Sequence, residues 1–277
     1  MVAVRPAFLI ALVGALALAA VSFAFTASSR ARARQAAVRA SAPAPAQPNA
    51  LRSVVRLPAP AKSEAPAVPE QRHSGPAPAQ VLRVRDGRTV ALRDRPHGHV
   101  ITTLGDRTEF GSPTALSVAE RRGRWAAVPS SALGNGTLGW VDTKSDSLDR
   151  RATDVRLVVS LAHRRLELRV RGHVKRHVRV AVGRPGSTTP RGRFSITDKL
   201  AGSQYGPYYG CCILALSGHQ PHPPPGWTGG SRLAIHGTNA PSTIGTPSSA
   251  GCLRAADEDL RALMRRVPLG TPVVIRA

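Results

Sequence analysis

The chain has 277 residues, 39 Lys and Arg against 16 Asp and Glu for a formal net charge of +23, 24 prolines and only 4% aromatic residues. That length allows one or two domains, and so little aromatic content beside so much proline excludes a chain that is core throughout. The charge raises a nucleic-acid partner, but the arginines are scattered through every segment and no aromatic-basic RNA motif is present, so no nucleic acid is expected. An anionic envelope surface or wall polymer is the expected target of such a basic chain. Arg5 precedes an apolar run from Ala7 through Phe25. Residues 1–28 therefore read as a signal peptide or a membrane anchor, either of which directs export. Ser22-Phe23-Ala24 offers a small-x-small cleavage site, yet the run exceeds the about 7–15 residues of a signal peptide. Arg30, Arg32 and Arg34 after the run argue against the export orientation by the positive-inside rule. Residues 29–80 carry Ala-Pro repeats such as Ala42-Pro43-Ala44-Pro45 and Pro76-Ala77-Pro78, and lack the periodicity needed to pack. They read as a Pro/Ala-rich, semi-rigid linker.

From Val81 to about Leu148 short β-rich runs, Val90-Ala91-Leu92 and Val100-Ile101, are punctuated by Pro96, Gly98, Gly105 and Gly111, which predicts a small all-β domain over 81–150. Its end, Gly123-Arg124-Trp125-Ala126-Ala127-Val128, Asn135-Gly136 at a tight turn and Gly139-Trp140-Val141, resembles the bacterial SH3-like β-barrel domains that accompany cell-wall enzymes. Trp125 and Trp140 are expected as core anchors, and no ligand residue is assigned there.

The last segment, 154–277, holds the chemistry. Leu166, Leu168 and Val170 alternate with polar residues, Arg171-Gly172 offers a turn, and Val178, Val180 and Val182 resume the alternation, a half-buried hairpin. His236-Gly237-Thr238 is followed by Ser249-Ala250-Gly251-Cys252-Leu253-Arg254, which pairs a candidate base with a candidate nucleophile. A free thiol, with a pKa of about 8.5, is sluggish at neutral pH unless a neighbour such as an imidazole favours the thiolate. Gly251 lets a substrate carbonyl approach the backbone and frees amide N–H groups for a developing oxyanion. If Cys252-Leu253-Arg254 is extended, thiol and guanidinium share one face while Leu253 points to the core. Asp257-Glu258-Asp259 then precedes Leu260, Leu263, Met264 and Val267, the spacing of an amphipathic helix with an acidic first turn.

This order of histidine, Ser-x-Gly-Cys, arginine, helix and a closing Gly270-Thr271-Pro272-Val273 strand, with Thr189-Pro190-Arg191-Gly192-Arg193-Phe194 upstream, resembles the L,D-transpeptidase catalytic domain, the YkuD family. The resemblance implies a mainly β fold, an L,D-transpeptidase-type β-sandwich with a short helix after the catalytic motif. It implies Cys252 as nucleophile and His236 as base, with Gly251, Ser249, Arg254, Gly237 and Thr238 in the oxyanion and substrate-binding motif. The implied substrates are peptidoglycan stem peptides, cross-linked or trimmed in the periplasm or cell wall, with a membrane contact if the N-terminal segment stays uncleaved. One departure is visible: Ala250 stands where the family often has histidine. The same residues serve an L,D-carboxypeptidase, and a non-catalytic wall-binding protein is the rival from another class. No cofactor and no metal is implied; His219 and His222, in a Pro-rich loop, are read as part of a surface rim rather than as zinc ligands. Cys211 and Cys212, adjacent and pointing to opposite faces if on a strand, are expected as two unbridged small residues, since a vicinal disulfide is strained.

Overall fold

A computed structural model describes residues 75–277. The expected leader and nearly all of the expected linker lie outside the described residues. Within them the protein is mainly β, as the alternating apolar positions imply. The first part contributes β1 (Ala79–Val84), β2 (Val90–Arg93), β3 (Val100–Leu104), β4 (Ala115–Ser117), β5 (Glu120–Arg122), β6 (Trp125–Pro129), β7 (Leu138–Asp142) and β8 (Leu148–Thr153). They form a three-stranded sheet, β4-β1-β8, and a five-stranded sheet, β3-β2-β7-β6-β5. Strand alternation sends Val128 and Val141 into a core shared with Leu82, Val84, Leu92 and Leu116. It sends Trp125 and Trp140 to the opposite face, where both are buried against Ala127. The Arg93 and Arg122 guanidinium groups lie over the two indole rings.

The second part contributes β9 (Val155–Ser160), β10 (Arg165–Val170), β11 (His173–Arg179), β12 (Val182–Gly183), β13 (Gly192–Ala201), β14 (Cys212–His219), β15 (Arg232–His236), β16 (Pro247–Ser249), β17 (Leu253–Arg254), α1 (Asp257–Arg266) and β18 (Pro272–Arg276). The predicted hairpin is β10–β11, and Arg171 and Gly172 at its tip both have positive φ, 51° and 81°. That turn matches the right-handed twist of the flanking strands. Val182 leaves the hairpin and instead pairs β12 in parallel with β16, which leads into the Ser-Ala-Gly-Cys motif.

Eight strands run in the order β11-β10-β9-β18-β13-β14-β15-β17. Laid flat at about 4.8 Å per strand, the ends of such a sheet would stand roughly 30 Å apart. Yet Leu166, Leu168 and Val178 from one end share a single core with Leu233, Ile235 and Leu253 from the other. The sheet therefore folds over on itself, and α1 packs Leu260 and Leu263 into the same core. The acidic residues Asp257, Glu258 and Asp259 sit in the first turn of α1 and Arg265 and Arg266 in its last, which complements the helix dipole at both ends.

The two parts touch directly. The Asn135 side chain, at the Asn-Gly turn before β7, imitates a strand neighbour: its Nδ2 donates to the His219 carbonyl (2.6 Å) and its Oδ1 accepts the His219 amide (2.9 Å). Thr108 donates to the fully buried Asp198 carboxylate (2.5 Å), and Glu109 pairs with Arg232.

Candidate active site

Strand alternation along β15 drives Leu233 and Ile235 into the core and leaves Arg232, Ala234 and His236 on the other face. β17 lies parallel to β15, with Ile235 opposite Leu253 and His236 opposite Arg254. One register step back sets Cys252 beside Ala234, on the face that carries His236 and Arg254. The imidazole and the thiol are thus diagonal neighbours on adjacent strands, a separation of about 7–8 Å at the backbone that an imidazole side chain can span. Leu253 is fully buried on the core side, as its position between Cys252 and Arg254 implies.

The ring of His236 is fully buried. Its Nδ1 lies 2.6 Å from the Gly237 carbonyl, which can only accept, so in the neutral ring the proton sits on Nδ1 and Nε2 keeps its lone pair. Nε2 has no hydrogen-bond partner. Tyr208 and Tyr209 cover the ring, with centroids at 5.5 and 4.9 Å. This burial holds the imidazole pKa down at about 4; the Gly237 carbonyl opposes that fall and the Arg254 cation adds to it.

Cys252 is half-buried and its thiol is free. Sγ lies 3.9 Å from the Arg232 carbonyl and makes no hydrogen bond to Nε2. The dense surroundings push the thiol up to about 11, against smaller opposing effects from the Ala234 backbone and from Arg254. Thiol and imidazole are both neutral at rest. Alkylation of Cys252 by iodoacetamide is therefore expected to keep accelerating up to a pH near 11, where a free cysteine levels off near 8.5. A plateau below pH 7 in the rate profile would instead reveal a preformed thiolate.

The turn that carries Cys252 is clamped on three sides. Ser249 Oγ donates to the Cys252 carbonyl (2.6 Å) and accepts the Gly251 amide (3.1 Å). The Gly251 N–H expected to face an oxyanion is thus already engaged. Thr189 Oγ1 donates to the Gly251 carbonyl (2.7 Å). The buried Gln220 Nε2 lies 2.9 Å from the Ala250 carbonyl and 3.1 Å from those of Ser187 and Thr188. Gly251 has φ 121°, and a Cβ on it would stand 1.9 Å from Gln220 Nε2, so only glycine fits this turn. Arg254, buried, donates to Ser248 Oγ (2.6 Å) and lies 6.0 Å from the Tyr208 ring.

Of the expected site residues, the structure brings Cys252, His236, Ser249, Gly251 and Arg254 together, and Gly237 contributes the carbonyl that fixes the imidazole. The Thr238 Oγ1 accepts the Ala240 amide. Sequence reasoning missed Tyr208, Tyr209 and Gln220 as members of the site, and took Thr189 only as part of the stretch Thr189–Phe194 that resembles the family's cleft motif. Gln220 lies in the stretch read as a surface rim, but it is buried, and His219 closes β14 with its ring bonded to Ser231 and to the Ser131 carbonyl. Cys211 and Cys212 are joined as a vicinal disulfide, contrary to the unbridged expectation. The strand argument fails because Cys211 occupies a turn after Gly210, and β14 starts only at Cys212. Cys212 packs in the core, on the far side of the sheet from His236, away from Cys252.

The description of the YkuD family, an L,D-transpeptidase catalytic domain, matches residues 154–275. A Bacillus licheniformis protein provisionally named L,D-transpeptidase YkuD is 36% identical over 122 residues, covering 43% of this chain and 64% of that protein. Its provisionally named Bacillus subtilis counterpart is 32% identical over 121 residues with the same two coverages. The chain thus spans slightly under two thirds of these relatives. Among solved structures, L,D-transpeptidase 3 from Mycobacterium tuberculosis in complex with a faropenem-derived adduct aligns with a TM-score of 0.38 at 17% identity, over 50% of this chain and 73% of that one. The match to the YkuD model of L,D-transpeptidase catalytic domains thus spans 122 of the 277 residues, the segment that carries His236 and Cys252.

Proposed function

We propose that the protein is an exported cysteine L,D-transpeptidase acting on peptidoglycan stem peptides. The observation that carries this reading is the buried, unpartnered Nε2 of His236 on the same sheet face as the free thiol of Cys252. Because thiol and imidazole are both neutral at rest, proton transfer accompanies attack rather than preceding it. As Sγ bonds to the carbonyl carbon of the L-to-D peptide bond, its proton passes to Nε2. Collapse of the tetrahedral intermediate breaks the C–N bond, the leaving amine of the terminal D-residue takes the proton from His236, and a thioester remains. An acceptor amine then attacks the thioester, gives a proton to Nε2, and expels the thiolate, which recovers that proton. With the Gly251 amide held by Ser249, the Cys252 amide is the donor assigned to the oxyanion. Arg254 adds a fixed positive charge beside it and steadies the motif through Ser248.

Export is supported by the apolar run 7–25 and the Pro-rich stretch behind it, which would hold the folded parts away from a membrane. The β1–β8 part is read as the SH3-like domain, and the net charge of +23 supports attraction to anionic wall polymers. Separate incubations with a disaccharide-tetrapeptide and with a carbapenem test the reading. Cross-linked dimers together with a covalent adduct on Cys252 are expected. Tripeptides without dimers would make the protein an L,D-carboxypeptidase, and no adduct on a folded, reduced Cys252 would leave a non-catalytic wall-binding protein.

A further inference from the structure

The segment between β3 and β4 leaves the first part of the chain and ends against the candidate active site. Three contacts hold it there. Thr108 Oγ1 donates to the buried Asp198 carboxylate (2.5 Å), Glu109 pairs with Arg232, and the Arg232 guanidinium lies 5.6 Å from the centroid of the Phe110 ring. Arg232 is also the residue whose carbonyl faces the Cys252 thiol. From Phe110 a row of aromatic rings leads to the base: Phe110 to Tyr205 at 6.2 Å, Tyr205 to Tyr209 at 6.2 Å, Tyr209 to His236 at 4.9 Å. The first two meet edge to face, at 83° and 74°.

This row is not interior packing. Tyr205 is 41% exposed, Phe110 and Tyr209 are half-buried, and Glu109 beside them is exposed. Apolar rings held at a surface by a buried carboxylate and an ion pair form a rigid ledge, with little entropy left to lose when something lies along it. Each step along the ledge matches about two residues of extended peptide at ~3.3 Å per residue. The three rings Phe110, Tyr205 and Tyr209, in line with the buried His236, therefore suit a short extended peptide with small alkyl side chains, reaching from the site to the first part of the chain.

We propose that Phe110 is a specificity-determining residue, the outer wall of the substrate groove, supplied by the β1–β8 part rather than by the catalytic domain. The inference rests on the transpeptidase reading of Cys252, and it makes the accessory part a contributor to peptide recognition at the site itself.

The test uses the full chain and two readouts: the rate of Cys252 acylation by a carbapenem, which carries no stem peptide to lie along the row, and KM for a disaccharide-tetrapeptide. Phe110→Ala is expected to raise KM about tenfold, the scale of losing one aromatic contact, while carbapenem acylation stays within twofold of the parent. Phe110→Tyr, which keeps the ring, is expected to restore the parental KM. Phe110→Leu keeps apolar bulk without the flat face and serves if the alanine variant does not fold; a rise of about threefold is expected. An unchanged KM, or a fall in carbapenem acylation that parallels the rise in KM, overturns the inference, since the latter marks a general loosening of the site. Failure of the parent protein to form any adduct overturns the transpeptidase reading and this inference with it.

Discussion

Cys252→Ala is expected to reduce turnover of a tetrapeptide muropeptide by at least about 10⁴-fold, to background, because no other group at the site can form the thioester. The two remaining cysteines are tied to each other, and Cys212 sits on the core side of the sheet. His236→Gln is expected to cost nearly as much, since a thiol pushed up to about 11 needs a base to take its proton during attack and the imidazole on the same sheet face is the one assigned to it. The double variant is expected to be no worse than either single one, as nucleophile and base act as a unit. Liquid chromatography of muropeptides after incubation measures all three. Residual turnover of the Cys252→Ala protein above one hundredth of the parental rate would place the chemistry elsewhere in the molecule.

The second large effect concerns stability in acid. An unfolded histidine titrates near 6.5, and the folded His236 near 4. The unfolded chain therefore takes up this proton first as pH falls. The contribution of the neutral, buried ring is fully present above pH 6.5 and is lost progressively down to about pH 4, below which this residue adds no further slope. The gap corresponds to roughly 3 kcal/mol at about 1.36 kcal/mol per pH unit. His236→Gln removes the titration while keeping a polar side chain of comparable reach. Urea midpoints at pH 7.0 and 4.5, read by tryptophan fluorescence, are expected to fall further in the parent than in the variant, by about 2–3 kcal/mol once multiplied by m. Other titrating groups cancel in that difference, so equal pH dependence in the two proteins would show that the ring is not desolvated in solution.

Much of the site was legible from local pattern. Alternation around Leu253 assigned the core face and thereby the face that carries Cys252 and Arg254. The i, i+3, i+4 spacing after Asp257 marked α1, and Arg171-Gly172 marked the hairpin turn. Other residues gave no local signal. Gln220 lies in a run of His, Gln and Pro that reads as surface, and it becomes a clamp only because β14 carries it under the turn at Gly251, with Ser187 and Thr188 on the other side. Tyr208 and Tyr209 cover His236 because the turn before β14 brings them onto the end of β15. The vicinal disulfide escaped the strand argument because Cys211 lies one residue outside the strand.

The sequence by itself determined which side chains carry chemistry suited to a nucleophile and a base, and which face is buried where residues alternate, since side-chain chemistry and strand periodicity are local properties. Tertiary structure alone decided the protonation states: a thiol near 11 and an imidazole near 4 follow from desolvation by residues distant in the chain. It also decided that Phe110, more than a hundred positions before the base, shares its aromatic row, because that contact needs the ion pair of Glu109 with Arg232 and the buried Asp198 to dock one part of the chain on the other.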